Sequence, residues 1–161
     1  MSGFRVGTGF DAHRLVRGKA LVLGGVEVPY ERGLEGHSDG DCLLHALCDA
    51  LLGAAAAGDM GRYFPSTEAR WKGASSTAFL DEVVRIIGEL GYAVVNVDVT
   101  LIAQSPALAP HLDRMRRTVG ERLGLGTDAV SVKAKTTDGL GALGREEGIA
   151  AQAVALLQKR T

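Results

Sequence analysis

The chain has 161 residues, enough for one domain, expected over residues 1–161, that buries most of its apolar surface without disulfide bonds or a structural metal. Apolar residues make up 46% and charged residues 23%, a balance that predicts a folded protein and excludes intrinsic disorder. The net charge of −1 argues against nucleic acid or an anionic membrane as a partner, so we expect a small-molecule substrate.

The first residues, 1–6, lack a long apolar run behind a basic start and do not predict a signal peptide. No apolar stretch approaches the roughly 20 residues that span a bilayer, so we expect a cytoplasmic protein with no membrane partner. Cys42 and Cys48 are six residues apart on a predicted helix and therefore lie on different sides of it. We expect both to be buried, reduced thiols.

The first half of the chain predicts a strand, a hairpin and a helix. Residues 4–10 alternate β-formers with glycines and are expected to lead into a polar site loop at residues 11–14. Residues 21–23 and 26–28 predict a hairpin around a Gly-Gly turn. The clearest helix covers residues 41–52, where leucines recur at helical spacing.

The second half predicts two more helices and two or three strands. Ser75 or Ser76 caps a helix with one apolar stripe that closes at Gly91. Residues 94–103 predict a long strand, a loop containing two prolines follows, and a third helix starts at His111 and stops at Gly124. Residues 129–134 return to strand.

The last segment, residues 149–157, fits a helix by its alanines and a strand by its alternation, so the pattern alone leaves both open. Strands that alternate with three helices favour an α/β or α+β sandwich, with helices covering one face of a mixed sheet.

Three side chains predict a metal site. Asp11 and His13 are two residues apart in extended chain, which points them to one side, while Asp41, His45 and Asp49 form a polar stripe on the first helix. Two imidazoles and one carboxylate with an open fourth position are typical of catalytic zinc sites, so we predict a divalent metal on Asp11, His13 and His45. Asp41 or Asp49 is expected to orient a ligating imidazole. For any one histidine alone, a solvated or core-satisfied ring is the alternative.

Two further stretches favour phosphate. His37 and Ser38 precede the first helix, whose N-terminal amides attract anions, although Ser38 or Asp39 also fits a plain helix cap. Residues 133–141 combine two lysines, two hydroxyls and two glycines after a strand, which suits a phosphate cradle ending in a carboxylate for a hard cation. An exposed turn is the alternative for this stretch and for residues 144–148.

Four motifs in order carry a family resemblance: Gly-Phe-Asp-Ala-His-Arg at 9–14, His-Ser-Asp-Gly-Asp at 37–41 with Leu-His-Ala-Leu at 44–47, Gly-Asp-Met-Gly at 58–61, and Lys-Ala-Lys-Thr-Thr at 133–137. Together they resemble the 2-C-methyl-D-erythritol 2,4-cyclodiphosphate synthase family from about Arg5 to the C-terminus. The resemblance implies conversion of 4-diphosphocytidyl-2-C-methyl-D-erythritol 2-phosphate to the cyclic diphosphate with release of CMP. It also implies a ferredoxin-like fold, with residues 149–157 as a strand, and a homotrimer with active sites between subunits.

The same resemblance assigns residue roles. Zinc would lie on Asp11, His13 and His45, magnesium or manganese on Asp138, and His37 and Thr136 would stabilise charge in the transition state. The residues around the metal, in the loop that would hold cytidine (103–109) and from Lys135 onward would contact the substrate. They are Asp11, His13, His37, Ser38, Asp49, Asp59, Gly61, Phe64, Ala103, Pro106, Ala107, Leu108, Ala109, Lys135, Thr136, Thr137, Asp138, Ala142 and Arg145.

The chain also departs from the family pattern at four positions. Ala107 stands where relatives usually carry lysine, which removes a side-chain contact to the nucleotide, and Asp138 replaces a glutamate at the magnesium position. Ala142 and Leu143 replace a phenylalanine and a threonine beside Arg145, which changes the central cavity where relatives can hold an isoprenoid diphosphate. A metal-dependent phosphohydrolase and a trimeric nucleotide- or phosphate-binding module are the alternative functions.

Overall fold

The computed structural model describes residues 3–161. Its seven strands are β1 (Phe4–Arg17), β2 (Leu21–Leu23), β3 (Val26–Val28), β4 (Arg32–Leu34), β5 (Tyr92–Ile102), β6 (Val130–Lys135) and β7 (Gly148–Lys159). Five of them form one mixed sheet in the order β4-β1-β7-β5-β6, in which only β5 and β6 run parallel, and β2 pairs with β3 in a separate hairpin.

The helices are α1 (Cys42–Ala54), α2 (Met60–Tyr63), α3 (Ser76–Glu89), α4 (Leu112–Leu123) and α5 (Gly141–Gly144). The predicted hairpin and the three long helices are therefore confirmed, with Ser75 at the N-cap of α3 and Gly124 in the left-handed conformation at the end of α4. No helix within residues 3–161 is both long enough and apolar enough to cross a membrane.

Strand β1 continues beyond the point where a polar loop was predicted. Its pairing with β7 is unbroken from Phe4 opposite Gln158 to Arg14 opposite Gly148, so residues 11–14 are strand rather than loop. The prediction was wrong because polar composition does not end a strand whose backbone groups are hydrogen-bonded to a neighbour. Asp11 and His13 are consequently held by regular sheet geometry.

Strand β7 lies in the centre of the sheet, between β1 and β5, which settles the ambiguous last segment as strand. Ala151, Ala153 and Ala155 are fully buried, while Gln152 and Val154 on the other face are exposed. The alternation thus reports a strand with one covered face, and the small alanines allow the helix layer to approach closely.

Helix α1 packs directly on β1 and β7 and forms the centre of the helix layer, with α3 beside it. Two glycines in β1 allow this contact. A Cβ built on Gly7 would lie 2.1 Å from the Ala50 carbonyl oxygen, and one on Gly9 would lie 1.9 Å from the Ala46 carbonyl oxygen. The strand that carries Asp11 and His13 is therefore pressed against the helix that carries His45.

The opposite face of the sheet has a different character. Phe4, Val6 and Phe10 of β1 are between 57% and 66% exposed, and Val154 of β7 extends the same apolar surface. On the other side, α3 contacts both α1 and α4, so the expected arrangement of helices over one face of a mixed sheet is confirmed. Both cysteines are buried and free, and burial raises the pKa of each thiol.

Candidate active site

The structure brings Asp11, His13 and His45 together where β1 faces α1. One carboxylate oxygen, Asp11 Oδ2, lies 2.7 Å from His13 Nε2 and 3.1 Å from His45 Nδ1, and the two imidazole nitrogens are 3.2 Å apart. Ligands at zinc–nitrogen distances around a tetrahedral ion are about 3.3 Å from one another. The three atoms therefore already have nearly the spacing that a zinc ion requires.

The outer nitrogen of His13 fixes which atom faces the centre. His13 Nδ1 lies 2.6 Å from the carbonyl oxygen of Glu35, and a carbonyl oxygen can only accept a hydrogen bond. Neutral His13 therefore carries its proton on Nδ1 and turns Nε2 toward Asp11 and His45, where this nitrogen can bind a cation or take a second proton. This is the partner arrangement that orients metal-bound histidines.

A longer chain of hydrogen bonds fixes His45 in the same way. Ser76 is fully buried at the start of α3, and its hydroxyl donates to the carboxylate of Asp39, which can only accept. The Ser76 oxygen, 2.8 Å from His45 Nε2, is then the acceptor for the imidazole proton, with the Ser38 oxygen at 3.1 Å as a second acceptor. His45 Nδ1 is left with a free lone pair toward the centre.

Asp11 Oδ2, His13 Nε2 and His45 Nδ1 thus face one position. A cation bound there would offset the repulsion between their lone pairs. Burial raises the pKa of Asp11, but the interactions of its carboxylate with His13 and His45 outweigh burial and lower that pKa to about 2. The hydrogen bond with Asp11 raises the pKa of His13. A negative carboxylate with two nitrogen donors fits Zn²⁺, so the residues present suit the predicted ion.

The predicted orienting role of Asp41 and Asp49 was wrong. Asp41 is fully buried and caps α1, accepting from the backbone of Leu44 and from both glycines of the β2–β3 turn. Its burial raises its pKa to about 6. Asp49 accepts from the backbone of Met60. The helix cap is therefore Asp41 rather than Ser38 or Asp39.

A cavity of about 150 Å³ opens beside the three ligands. His37 and Ser38 line it together with His13 and His45, and Phe64 contributes to an apolar wall. That wall is an aromatic cluster in which the ring centroids of Phe64, Trp71 and Phe79 are 4.8 to 5.3 Å apart. The side of the cavity formed by His13, His45 and their neighbours is thus polar, and the aromatic side suits the carbon skeleton of a ligand.

The predicted residues of α2 lie next to this cavity. Asp59 caps α2 by accepting from Arg62, and Gly61 belongs to the helix itself. Asp49 holds the same turn through its bond to Met60, whose side chain lines the cavity. Met60 is thus the residue of this turn that lines the cavity, while Asp49 and Asp59 hold the backbone of the turn.

The predicted cytidine loop forms a second cavity, of about 430 Å³. Its walls are residues 103–109 and the end of β6, including Lys135 and Thr136. An adjoining hollow is lined by Thr136, Thr137 and Asp138, and the Asp138 amide donates to the Thr136 hydroxyl. Lys133, the other lysine of the predicted phosphate cradle, instead forms an ion pair with Asp98 on the sheet.

The two cavities lie at the same end of the sheet but are separate in one chain. The cross-strand pairs join Ala12, Ala150, Ile102 and Lys135 in one row across β1, β7, β5 and β6. Three strand spacings put the backbone of the metal ligands about 14 Å from Lys135. His37 and Thr136, predicted to act together, therefore line different cavities.

Helix α5 and the turn after it carry the last predicted residues. Ala142 is exposed within α5, and the exposed Arg145 pairs with Glu147 at 2.8 Å. This turn adjoins the start of β7, since Glu147 accepts from the backbone of Leu15. Neither residue lines the two cavities described above.

Sequence reasoning did not identify Glu35, Ser76 or Trp71 as parts of the site. Glu35 acts through its backbone carbonyl, which no side-chain pattern reports. Ser76 was seen only as a helix cap and Trp71 not at all, because their contacts join segments far apart in sequence. The one local signal for Ser76 is a hydroxyl at the start of a helix. In the structure this residue is buried, and the neighbouring Ser75 makes no side-chain cap hydrogen bond.

The fold and the site define a small α/β protein with a cluster of two histidines and one carboxylate that could hold a metal ion. The sequence profile of the YgbB family matches residues 4–158. The chain therefore belongs to the YgbB family.

Curated relatives agree over the full length. The chain is 58% identical over 156 residues to 2-C-methyl-D-erythritol 2,4-cyclodiphosphate synthase from Laribacter hongkongensis, covering 97% of this chain and 96% of that one. It is 56% identical to the enzyme of the same name from Salinibacter ruber, covering 96% and 98%. A solved structure of IspF from Plasmodium falciparum in complex with CDP superposes with a TM-score of 0.86 at 31% identity, covering 100% and 99%. The resemblance predicted from the motifs is confirmed.

Proposed function

We propose that the protein converts 4-diphosphocytidyl-2-C-methyl-D-erythritol 2-phosphate to 2-C-methyl-D-erythritol 2,4-cyclodiphosphate and CMP, as a phosphorus–oxygen lyase of non-mevalonate isoprenoid biosynthesis. The observation that carries the proposal is the convergence of Asp11 Oδ2, His13 Nε2 and His45 Nδ1 beside a half-apolar cavity. Near full-length relatives that bear the synthase name support it.

The proposed reaction needs alignment and charge neutralisation rather than a protein nucleophile. The 2-phosphate of the substrate attacks the phosphorus nearer the sugar alcohol, the new P–O bond closes the ring, and the bond to CMP breaks with its electron pair on the CMP oxygen. Zinc on Asp11, His13 and His45, and magnesium or manganese at Asp138, would supply Lewis-acid stabilisation of phosphate oxygens when bound. The chain's own residues hold the reacting groups in line.

Around the metal centre, the cavity residues would bind the methylerythritol phosphate part. His37 and Ser38 present polar groups to its phosphate side, while Phe64 contacts its carbon skeleton. Asp49, Asp59 and Gly61 would complete the rim through α2. His37 would stabilise negative charge as the ring closes.

The second cavity would hold the cytidine diphosphate. Residues 103–109 would enclose the cytidine, with Ala107 contributing backbone contacts only, and Lys135, Thr136 and Thr137 would bind the diphosphate. Thr136 would stabilise charge on the departing phosphate. The complex of the Plasmodium falciparum protein with CDP supports a site for such a nucleotide in this protein.

We also propose a homotrimer with a ferredoxin-like fold in each single-domain subunit. The exposed apolar face of β1 and β7 would lie at the centre of the assembly. The nucleotide cavity of one subunit would then face the metal centre of its neighbour, which reconciles two catalytic side chains that line separate cavities in one chain. Ala142 and Arg145 would lie near the central axis.

Product analysis separates this proposal from a metal-dependent phosphohydrolase that uses the same centre to activate water. Purified protein with zinc, magnesium and the cytidine substrate should give equal amounts of cyclic diphosphate and CMP by ³¹P NMR. Inorganic phosphate as the product would establish the phosphohydrolase instead.

A trimeric nucleotide-binding module is the other candidate, because the second cavity alone suits a nucleotide. It predicts retention of the substrate without turnover. Turnover by the wild-type protein distinguishes the two, and the Asp11→Ala variant should lose that turnover yet keep affinity for CDP, which the second cavity binds. Wild-type protein that binds CDP but never turns over would establish the binding module.

A further inference from the structure

Glu146 adopts a backbone conformation that favours glycine. It has a φ of +59° two residues after the end of α5, where its amide closes the turn by donating to the Leu143 carbonyl at 3.1 Å. A residue with a Cβ is strained in this region, and such strain persists where other contacts hold it in place. The side chain of Glu146 should therefore have contacts that offset the strain.

Those contacts join two parts of the fold. The Glu146 carbonyl accepts from Arg32 Nη1 at 3.0 Å and its Oε2 accepts from Arg32 Nη2 at 2.8 Å, which ties the turn to β4. The other carboxylate oxygen, Oε1, accepts from the Ser105 hydroxyl at 3.0 Å. One carboxylate thus bridges an arginine at the edge of the sheet and a serine in the loop of residues 103–109.

The arginine end of this bridge is itself fixed. Arg32 Nη2 donates to the Tyr30 hydroxyl at 2.8 Å, and the guanidinium lies 5.4 Å from the centroid of the Tyr30 ring. The Arg32 side chain is only 21% exposed and that of Glu146 38%, so solvent screens the pair less than a surface pair. Charge-assisted bonds of this kind are short and directional.

We propose that Glu146 is a positioning residue that anchors Ser105, and with it the 103–109 wall of the nucleotide cavity, to Arg32 of β4. This inference rests on the proposed function only for the identity of the ligand. Ser105 lies in the cavity wall directly before Pro106. A wall that is already held in its binding conformation loses less conformational entropy when the nucleotide enters.

The test compares Glu146→Gln, Glu146→Gly and Ser105→Ala with Glu31→Gln as the matched control. Glu31 is an exposed carboxylate beside the same arginine, 3.9 Å from Arg32 Nε. Each Glu-to-Gln change removes one negative charge near Arg32, but only Glu146 reaches the loop. The probe is CDP, titrated calorimetrically into zinc-loaded protein.

We expect Glu146→Gly and Ser105→Ala to weaken CDP binding about fivefold to tenfold, Glu146→Gln to weaken it less, and Glu31→Gln to leave it unchanged. Zinc content should stay the same in all four variants. In the Glu146→Gly background, Ser105→Ala should have no further effect, because the bond it removes is already gone.

A second measurement does not depend on ligand. Amide hydrogen exchange of residues 103–109 in the zinc-loaded protein should become faster in Glu146→Gly and Ser105→Ala, while exchange in the centre of β7 stays slow. Unchanged exchange in the loop, or CDP affinity equal to wild type in both variants, overturns the inference and leaves the proposed function intact. A wild-type protein that does not bind CDP overturns the proposed function alone, because faster loop exchange in the two variants would still support the anchor.

Discussion

The hydrogen-bond partners of His13 and His45 influence the chemistry of the predicted metal site as much as the side chains that would bind the metal. His13 and His45 each have two nitrogens, and a carbonyl oxygen and a serine hydroxyl fix which one faces Asp11. Because those partners accept protons on the outer nitrogens, the inner ones are free to bind a cation.

Ser76→Ala should weaken zinc binding about tenfold, the lower end of the range for lost partners of metal-bound histidines. The loss is limited because the Ser38 oxygen, 3.1 Å from the same nitrogen, can still accept the proton of His45. Competition with a chelator of known zinc affinity measures the effect. Ser75→Ala is the control, since the Ser75 hydroxyl bonds only to Thr77 among the described residues. Equal zinc affinity in Ser76→Ala and wild type would refute the role of Ser76.

Zinc binding should release protons in a manner that depends on pH. The hydrogen bond to Asp11 raises the pKa of His13 above its ordinary value of 6.5, so metal-free protein holds a proton there that zinc must displace. Zinc affinity should rise with pH through the raised pKa. The His13 proton stabilises the metal-free fold fully below pH 6.5, and this stabilisation is lost as pH rises through the same pKa.

Calorimetric zinc titrations in two buffers with different ionisation enthalpies measure that proton. We expect about one proton released per zinc at pH 6.5 and markedly fewer at pH 9. The same number of protons at both pH values would mean that His13 is not the displaced site.

At the scale of elements, the centre exists because a strand and a helix approach closely. Asp11 and His13 project from β1 toward α1, and Gly7 and Gly9 in the same strand leave no side chain between the two backbones. Any side chain at these positions would push the helix and its His45 away from the strand. The spacing of the ligands is thus a property of the β1–α1 contact.

Gly9→Ala should destabilise the protein by about 3 kcal/mol, because its methyl group would overlap the Ala46 carbonyl and force the two elements apart. Urea unfolding followed by circular dichroism gives the free energy of unfolding. Gly3→Ala serves as the control: a Cβ there meets no atom within 4 Å, and its effect should stay within about 0.5 kcal/mol. A Gly9→Ala variant as stable as Gly3→Ala would show that the contact is not tight.

The sequence was sufficient to predict the candidate metal-binding residues and most helices and strands, because these depend on local spacing. The leucines of α1 and the pair Asp11 and His13 repeat at intervals that define a helix face and a strand face. The full length of β1 and the identity of β7 were not local properties, since both depend on pairing between strands more than a hundred residues apart. The hydrogen bond between Ser76 and Asp39, which are 37 residues apart, was not predicted for the same reason.

At the scale of the whole molecule, the sheet has one covered and one open face. The open face carries large apolar side chains at Phe4, Val6 and Phe10, arranged at every second or fourth residue of one strand. Contiguous exposed apolar surface of this kind marks an association site in a folded protein. The proposed trimer would bury it.

Sedimentation equilibrium should give about three times the 16.8 kDa of one chain for the wild-type protein. Val6→Asp should shift the protein toward monomer, because a charge would have to be buried at the subunit contact. Leu90→Asp is the matched control, since Leu90 is 49% exposed at the end of α3, on the helix side. A wild-type mass of one chain, or a Val6→Asp protein that stays trimeric, would exclude an interface on this face.

The dependence of turnover on zinc tests the central claim most directly. Metal-free protein with magnesium and the cytidine substrate is titrated with zinc while cyclic diphosphate and CMP are measured. Turnover should rise from near zero and saturate at one zinc per chain, and the His45→Ala variant should neither bind zinc tightly nor turn over. Full turnover before zinc is added, or in the His45→Ala variant, would contradict the account.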